Sequence, residues 1–245
     1  MNGRIDVLGI GFDNLTPGEA LEHADRCIKA RSGGYVVTPN PEMVWRCRTD
    51  FELSGAIGGA ELVLSDGIGI IYGAKILRTP LKGRVTGIGF AESLTRRLAA
   101  RGGSVYLFGA KPGVAKKAGE NLTARYPGIV IAGTADGYFK DDEAVIEDIN
   151  KKRPDFLMVC LGFPKQEIWA RDNRAKLDVG VIACLGGSLD VMAGVVDRAP
   201  ERWQKLGLEW LYRLIRQPSR LGRMMSLPKF LFATILSRFG KEKNG

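Results

Sequence analysis

Asp155-Phe156-Leu157-Met158-Val159-Cys160-Leu161, followed directly by Gly162-Phe163-Pro164-Lys165-Gln166-Glu167, is the stretch that decides the fold. Its apolar residues run on without alternating with polar ones. That pattern belongs to a strand of a parallel sheet covered on both faces, not to a strand with one wet side. Gly162 and Pro164 then mark a tight turn, and a helical pattern follows over 165–176. The same succession recurs along the chain. Strands are predicted at 5–10, 35–38, 62–65, 105–108, 129–133 and 179–185. Thr16-Pro17-Gly18-Glu19 reads as a capping box with proline at the first helical position, opening a helix over 20–30. Lys111-Pro112-Gly113 opens another over 114–125. Strand, turn and helix repeated about six times predict an α/β protein: a doubly wound, Rossmann-like, mostly parallel sheet carrying a C-terminal helical appendage.

The appendage announces itself by charge. Residues 198–245 hold 11 Lys/Arg against 3 Asp/Glu, whereas residues 1–197 hold 25 against 24. The expected division is a Rossmann-like body over 1–197 and a basic amphipathic tail over 198–245. Two helical runs are predicted in the tail, to about Arg216 and from there to about Phe239, interrupted at Gln217-Pro218. Phe230, Leu231, Phe232, Ile235, Leu236 and Phe239 give the second run an apolar side flanked by Lys and Arg. Such a segment suits an anionic membrane surface, on which it would lie; packing of a homo-oligomer is the other use of that face. No stretch approaches the ~18–20 apolar residues that span a bilayer, and the N-terminus does not read as a signal peptide. The expected location is cytoplasmic, peripheral on the inner face of the cell membrane.

Composition narrows the chemistry. Cys27, Cys47, Cys160 and Cys184 form no C-x-x-C pair, and Cys160 and Cys184 fall in apolar runs where a buried free thiol is the simpler reading. His23 is the one histidine, so multi-histidine metal sites and Ser-His-Asp or Cys-His nucleophiles have little to draw on. Neither a G-x-G-x-x-G fingerprint after the first strand nor a Walker-type loop is present, which disfavours an NAD-dependent oxidoreductase. A nucleic-acid-binding module would use the tail's charge, but no such motif accompanies it. No Asp-x-Asp occurs, so a diphosphate leaving group would be met by Arg, Lys and backbone N–H groups; neither metal nor cofactor is expected.

Ligands of open α/β sheets bind at the carboxyl ends of the strands. Reading those ends collects Thr38 and Asn40, then Ser65-Asp66-Gly67, Gly109-Ala110-Lys111-Pro112-Gly113, Asp136-Gly137-Tyr138, Lys165-Gln166-Glu167 and Gly186-Gly187-Ser188. The Gly-rich turns admit phosphate binding through N–H groups. Asp66 leads as an acid–base candidate, because an apolar run precedes it and should leave it little water. Its alternative role is N-cap of a helix over 67–75.

At this point the residues resemble the WecG/TagA/CpsF family of bacterial glycosyltransferases. The resemblance rests on Val36-Val37-Thr38-Pro39-Asn40, Ser65-Asp66-Gly67-Ile68-Gly69, Gly83-Arg84-Val85-Thr86-Gly87, Leu107 through Ala115, Leu161 through Glu167 with Trp169, Arg198-Ala199-Pro200, and Gly207-Leu208-Glu209-Trp210-Leu211-Tyr212-Arg213-Leu214. It implies inverting, metal-independent transfer of N-acetylmannosamine from UDP-ManNAc to the 4-hydroxyl of GlcNAc on undecaprenyl diphosphate, in teichoic acid linkage-unit synthesis. UDP-ManNAcA or UDP-glucose are the alternative donors. It also implies Asp66 as general base, Thr38, Asn40, Arg84 and Gln166 as pocket residues, and Arg213, Arg220 and Arg223 as tail arginines that hold diphosphate. Gly109, Lys111, Asp136, Tyr138 and Lys165 complete the expected substrate contacts. Members of the family commonly carry an acidic residue just after Arg-Val-x-Gly; Ile88-Gly89-Phe90 has none.

Overall fold

The computed structural model describes residues 3–216, 218 and 221–242; the side chains of 205, 213, 223, 224 and 240–242 lie outside that description. Arg220, expected to hold diphosphate, is outside the described residues, as are the side chains of Arg213 and Arg223.

Six parallel strands form the sheet: β3 (Gly34–Val37), β4 (Leu62–Val63), β5 (Ser104–Gly109), β6 (Val130–Ala135), β7 (Phe156–Cys160) and β8 (Val181–Cys184), in the order β4-β3-β8-β7-β5-β6. The unbroken apolar runs are explained by burial on both sides. Tyr35 and Val37, Tyr106 and Phe108, and Leu157 and Val159 enter one core. Val36, Val105, Leu107, Phe156 and Met158 enter the other. One face is covered by α1 (Pro17–Ala30), α5 (Gly87–Ala99), α6 (Val114–Arg125) and α9 (Ser188–Met192). The opposite face is covered by α2 (Pro41–Cys47), α3 (Phe51–Gly58), α4 (Ile68–Ile76), α7 (Asp142–Lys152) and α8 (Lys165–Asn173). The doubly wound, Rossmann-like expectation holds. So does the capping box: Glu19 N–H donates to Thr16 Oγ1 and Thr16 N–H to the Glu19 carboxylate.

The first predicted strand is a correction. Residues 5–12 form a two-stranded hairpin outside the main sheet, β1 (Ile5–Val7) against β2 (Ile10–Phe12). Leu8 (φ 55°) and Gly9 (φ 89°) make its two-residue turn. Two positive φ angles suit the twist of a tight hairpin, and an apolar Leu in the first position hid the turn inside an apolar run.

The tail is the second correction. Its first helical run is two helices, α10 (Glu201–Lys205) and α11 (Glu209–Arg216), parted at Gly207 with φ +70°. Beyond α12 (Leu221–Met224), α13 (Ser226–Glu242) lies across α2 and α4. A Cβ on Gly69 would come within 2.7 Å of Leu227, and one on Gly73 within 2.8 Å of the Phe230 ring. Two glycines four residues apart clear one side of α4 so that α13 can settle on it. Phe230, expected to meet lipid, is fully buried in the core, and Thr234 beside it is buried with its hydroxyl donating to the Phe230 carbonyl at 2.7 Å. Phe232, Ile235, Leu236 and Phe239 remain exposed. Among the described residues no helix is long and apolar enough to cross a membrane.

Candidate active site

β3 and β4 end side by side, with Leu64 N–H donating to the Val37 carbonyl at 2.9 Å. Immediately after β4, buried Ser65 clips a distant loop: its hydroxyl donates to the Gly83 carbonyl at 2.9 Å, and its own carbonyl accepts from Val85 N–H at 3.0 Å. Those two bonds set Arg84 beside Asp66, with Nη2 3.8 Å from Oδ1. The other carboxylate oxygen accepts from Gly87 N–H, the first residue of α5, at 3.4 Å. Asp66 is therefore not the N-cap of α4. Gly67 occupies that position, with φ +91°. Nor is the Asp66 side chain dry, since a third of it is exposed.

A cavity of about 180 Å³ forms over this pair, lined by Asn40, Asp66, Arg84 and Thr86 from the body and by Glu209, Trp210 and Leu227 from the tail. Asn40 is also the N-cap of α2, its Oδ1 accepting from Met43 N–H at 3.1 Å. Glu209 closes an ion pair with Arg84. Arg84 thus lies between two carboxylates, yet its Nε is buried without a partner among the described residues. Arg84, Thr86 and Glu209 also border a second cleft of about 340 Å³ that reaches Gln204 and Gly207. The carboxylate paired with Arg84 comes from the tail, which spacing could not reveal, because Glu209 lies 125 positions from Arg84. Trp210, Ser226 and Leu227 were likewise missed: Trp210 falls in a legible motif and the other two in none, and nothing in one dimension shows that this part of the tail folds back over Asp66.

Not every expected residue converges on this cavity. Thr38 stands at the end of β3 with its hydroxyl donating to the Cys184 carbonyl at 3.4 Å; a Cβ on Gly87 would fall 2.9 Å from the same oxygen, so Thr38 borders the start of α5. Gln166 is buried and engaged at both ends. Its Nε2 donates to Glu167 at 2.7 Å and its Oε1 accepts from Gly186 N–H at 2.9 Å, so it ties α8 to the turn after β8. Gly109, Lys111, Asp136, Tyr138 and Lys165 form a separate group at the ends of β5, β6 and β7. There Gly137 N–H donates to the Ala110 carbonyl at 2.9 Å, Tyr138 N–H to Asp136 at 2.8 Å, and the Lys165 ammonium lies 4.3 Å over the Phe139 ring. None of the five lines the Asp66 cavity. Glycine at 109 has a packing reason, since a Cβ would lie 2.3 Å from the Cys160 carbonyl oxygen on β7.

Two buried sets carry unusual electrostatics. Burial pushes the Glu167 carboxyl up to about 7 against the pull of the Gln166 hydrogen bond, and its Oε2 has no partner among the described residues. All four cysteines are buried and free, and burial drives the Cys47 and Cys160 thiols up to about 12. These are inert thiols, as read for Cys160 and Cys184. Among the described residues, His23, Cys27 and Glu61 bring three ligand-type atoms within 4.8 Å of one another. The His23 ring is bonded to Glu61 at 2.7 Å and faces the Arg26 guanidinium at 3.3 Å, a poor setting for a cation. The trio sits at the amino end of β4, opposite Asp66.

A Rossmann-like sheet places a carboxylate and a guanidinium at its strand ends beneath a covering tail, and comparison gives this frame a family. The glycosyl transferase WecG/TagA/CpsF family model matches residues 5–244, and the chain belongs to that family. Among its relatives, an N-acetylglucosaminyldiphosphoundecaprenol N-acetyl-beta-D-mannosaminyltransferase of Bacillus spizizenii strain W23 is 36% identical over 208 residues, covering 85% of this chain and 81% of the relative. The enzyme of that name from Staphylococcus aureus strain MW2 is 33% identical over 231 residues, covering 94% and 91%.

Proposed function

We propose that this glycosyltransferase moves N-acetylmannosamine from UDP-ManNAc to the 4-hydroxyl of the GlcNAc borne by undecaprenyl diphosphate. The observation that carries the reading is the Asp66–Arg84 pair at the floor of a cavity roofed by the tail, in a chain whose relatives bear that activity in their names.

In the proposed step the acceptor oxygen attacks the anomeric carbon on the side opposite UDP. Asp66 takes the hydroxyl proton as the new C–O bond forms and the bond to the UDP oxygen breaks. One base and no covalent intermediate make the transfer inverting. Negative charge gathers on the departing diphosphate, and Arg84 has a buried Nε–H not yet used by any described residue to offer it. The tail arginines would add donors, so no metal is required in this scheme. Gln166 acts in this scheme by fixing the 186–188 turn and not by touching sugar. The exposed side of α13 would rest on an anionic membrane surface where the acceptor resides.

The test is product analysis with a panel of UDP-sugars and a short-chain GlcNAc-diphospholipid, in EDTA, for wild type and Asp66→Asn. UDP-ManNAc should be the productive donor, and the variant should lose ~100-fold or more in turnover while keeping UDP affinity. Near-normal turnover by the variant, or arrest of the wild type by EDTA, would refute the mechanism.

A further inference from the structure

The Asp66 cavity is the inner end of a longer depression. Glu42 and Ser226 line both it and a neighbouring groove of about 700 Å³ between α2 and α13. Trp45, Arg48 and Lys229 are in turn shared by that groove and a further stretch of about 640 Å³, which ends at Leu8, Phe232 and Leu236. Followed outward, the walls change character in a fixed order. Asp66 and Arg84 stand at the inner end, Arg48 and Lys229 in the middle, and the apolar Leu8, Phe232 and Leu236 at the mouth, with Asp6 and Ser237 on its rim.

Among the described residues the middle section holds two cations that enter no ion pair. Arg46 is taken by Asp50 at 3.2 Å. By contrast, the Arg48 guanidinium lies 4.6 Å over the Trp45 ring, and among the described residues neither Arg48 nor Lys229 has an ion-pair partner. Glu42, the carboxylate on that wall, is already engaged by a neighbour. Lys229 lies one helical turn, about 5 Å, beyond Ser226 along α13. That is the span of one sugar ring. Phe232 and Leu236 follow at one and two further turns.

We infer that this groove holds the acceptor along its length: sugar at Asp66, diphosphate at Arg48 and Lys229, and the first isoprenoid units over Trp45, Leu8, Phe232 and Leu236. The order sugar, diphosphate, prenyl chain is the order in which the walls turn from polar to cationic to apolar. Forked and ammonium donors suit diphosphate oxygens. An amphiphile of that kind leaves the groove where α13 exposes its apolar side, so the chain passes directly from protein to bilayer. The inference rests on the proposed acceptor class and adds the subsite that selects it.

The experiment compares wild type with Arg48→Ala, Lys229→Ala and the double variant, both cations being exposed and outside the core. Three quantities are read for each: KM for a short-chain GlcNAc-diphospholipid, KM for the donor, and sedimentation with anionic vesicles lacking acceptor. The double variant should raise acceptor KM about tenfold, with the donor KM and vesicle binding moving less than about twofold. Calorimetric titration with farnesyl diphosphate, inorganic pyrophosphate and farnesol should show wild type binding the first most tightly and the double variant losing that advantage. An unchanged acceptor KM overturns the inference. A fall in vesicle binding that parallels the rise in acceptor KM also overturns it, because the cations would then serve lipid headgroups. Failure of the proposed function looks different: wild type would transfer no sugar to this acceptor, while the farnesyl diphosphate titration still reports on the groove.

Discussion

Phe230→Ala tests whether the tail belongs to the enzyme's core. The ring is fully buried against α4, where Gly73 leaves room for it, and it joins the cluster that includes Val44, Ile70 and Ala74. Truncating a core Phe removes its transfer energy and leaves a void, together about 3–5 kcal/mol. For a chain of this size 1 kcal/mol shifts the melting temperature by about 2–4 °C, so a loss of roughly 6–20 °C is expected if tail and body melt together. If the tail instead releases locally, the loss appears as cleavage between α11 and α13 at protease levels the wild type survives. Either way turnover should fall at least ~10-fold, because Glu209, Trp210 and Leu227 line the cavity. Phe232→Ala, two residues away on the same helix but 63% exposed, is the internal comparison and should cost under ~0.5 kcal/mol. Gly73→Val approaches the same contact from the other side, since even its Cβ would meet the ring at 2.8 Å. Equal melting, equal protease resistance and equal activity for Phe230→Ala and Phe232→Ala would refute the docking argument.

Glu209→Gln removes one of the two carboxylates that flank Arg84, leaving Asp66. If the glutamate occupies the guanidinium that a donor phosphate needs, calorimetry should show UDP binding several-fold tighter, on the scale of one charge-assisted hydrogen bond; unchanged or weaker binding would leave Glu209 a docking contact only. Glu167 makes stability depend on pH in an unusual direction. Its folded carboxyl titrates at about 7 against an ordinary 4.5, so the folded protein holds the proton more tightly. Stability is undiminished below about 4.5, falls as pH rises, and carries a penalty on the order of 3 kcal/mol above about 7. Denaturant melts from about pH 5 to pH 8 should show this fall in wild type and not in Glu167→Gln; parallel profiles would exclude an ionising buried carboxyl. Phe232→Ser with Leu236→Ser should abolish sedimentation with anionic vesicles while leaving the melting temperature within about 2 °C; undiminished sedimentation would sink the membrane role.

The sheet was legible because its inner strands, unlike the edge strand β6, are buried on both faces, so their apolar runs carry the signal without help from distant residues. The hairpin at residues 5–12 was not, since its turn uses Leu8, an apolar residue at positive φ. Helix α2 went unassigned because Asn40, which caps it, was read only as a candidate at a strand end. Asn40 both caps the helix and lines the cavity. Asp66 could be found from its place at a strand end. Its partner Arg84 arrives through the Ser65 bonds to Gly83 and Val85, and Glu209 through the docking of the tail, neither of which periodicity encodes. Gln166 shows the converse. A polar residue just past a strand end points as readily into the protein, to satisfy a turn, as toward a ligand.

The tail's amphipathic pattern told that α13 has two sides, but not what covers each. At about 100° per residue, Leu227, Phe230 and Thr234 fall within about 60° of one another, while Phe232, Ile235, Leu236 and Phe239 spread over about 100° on the opposite side. The first set is packed on α2 and α4 and the second is exposed. Because the two stripes oppose each other, α13 need not leave the body to rest on a lipid surface. Its buried side completes the roof of the Asp66 cavity while its exposed side faces away. Phe232 and Leu236 also edge the mouth of the groove that leads inward past Lys229. A surface laid on that stripe therefore meets the groove's opening, so a membrane-held acceptor would reach Asp66 sideways along α13 with its lipid still in the bilayer. A docked tail thus suits transfer to a lipid-borne sugar better than a tethered one, which would fix the enzyme to the membrane without aligning the groove.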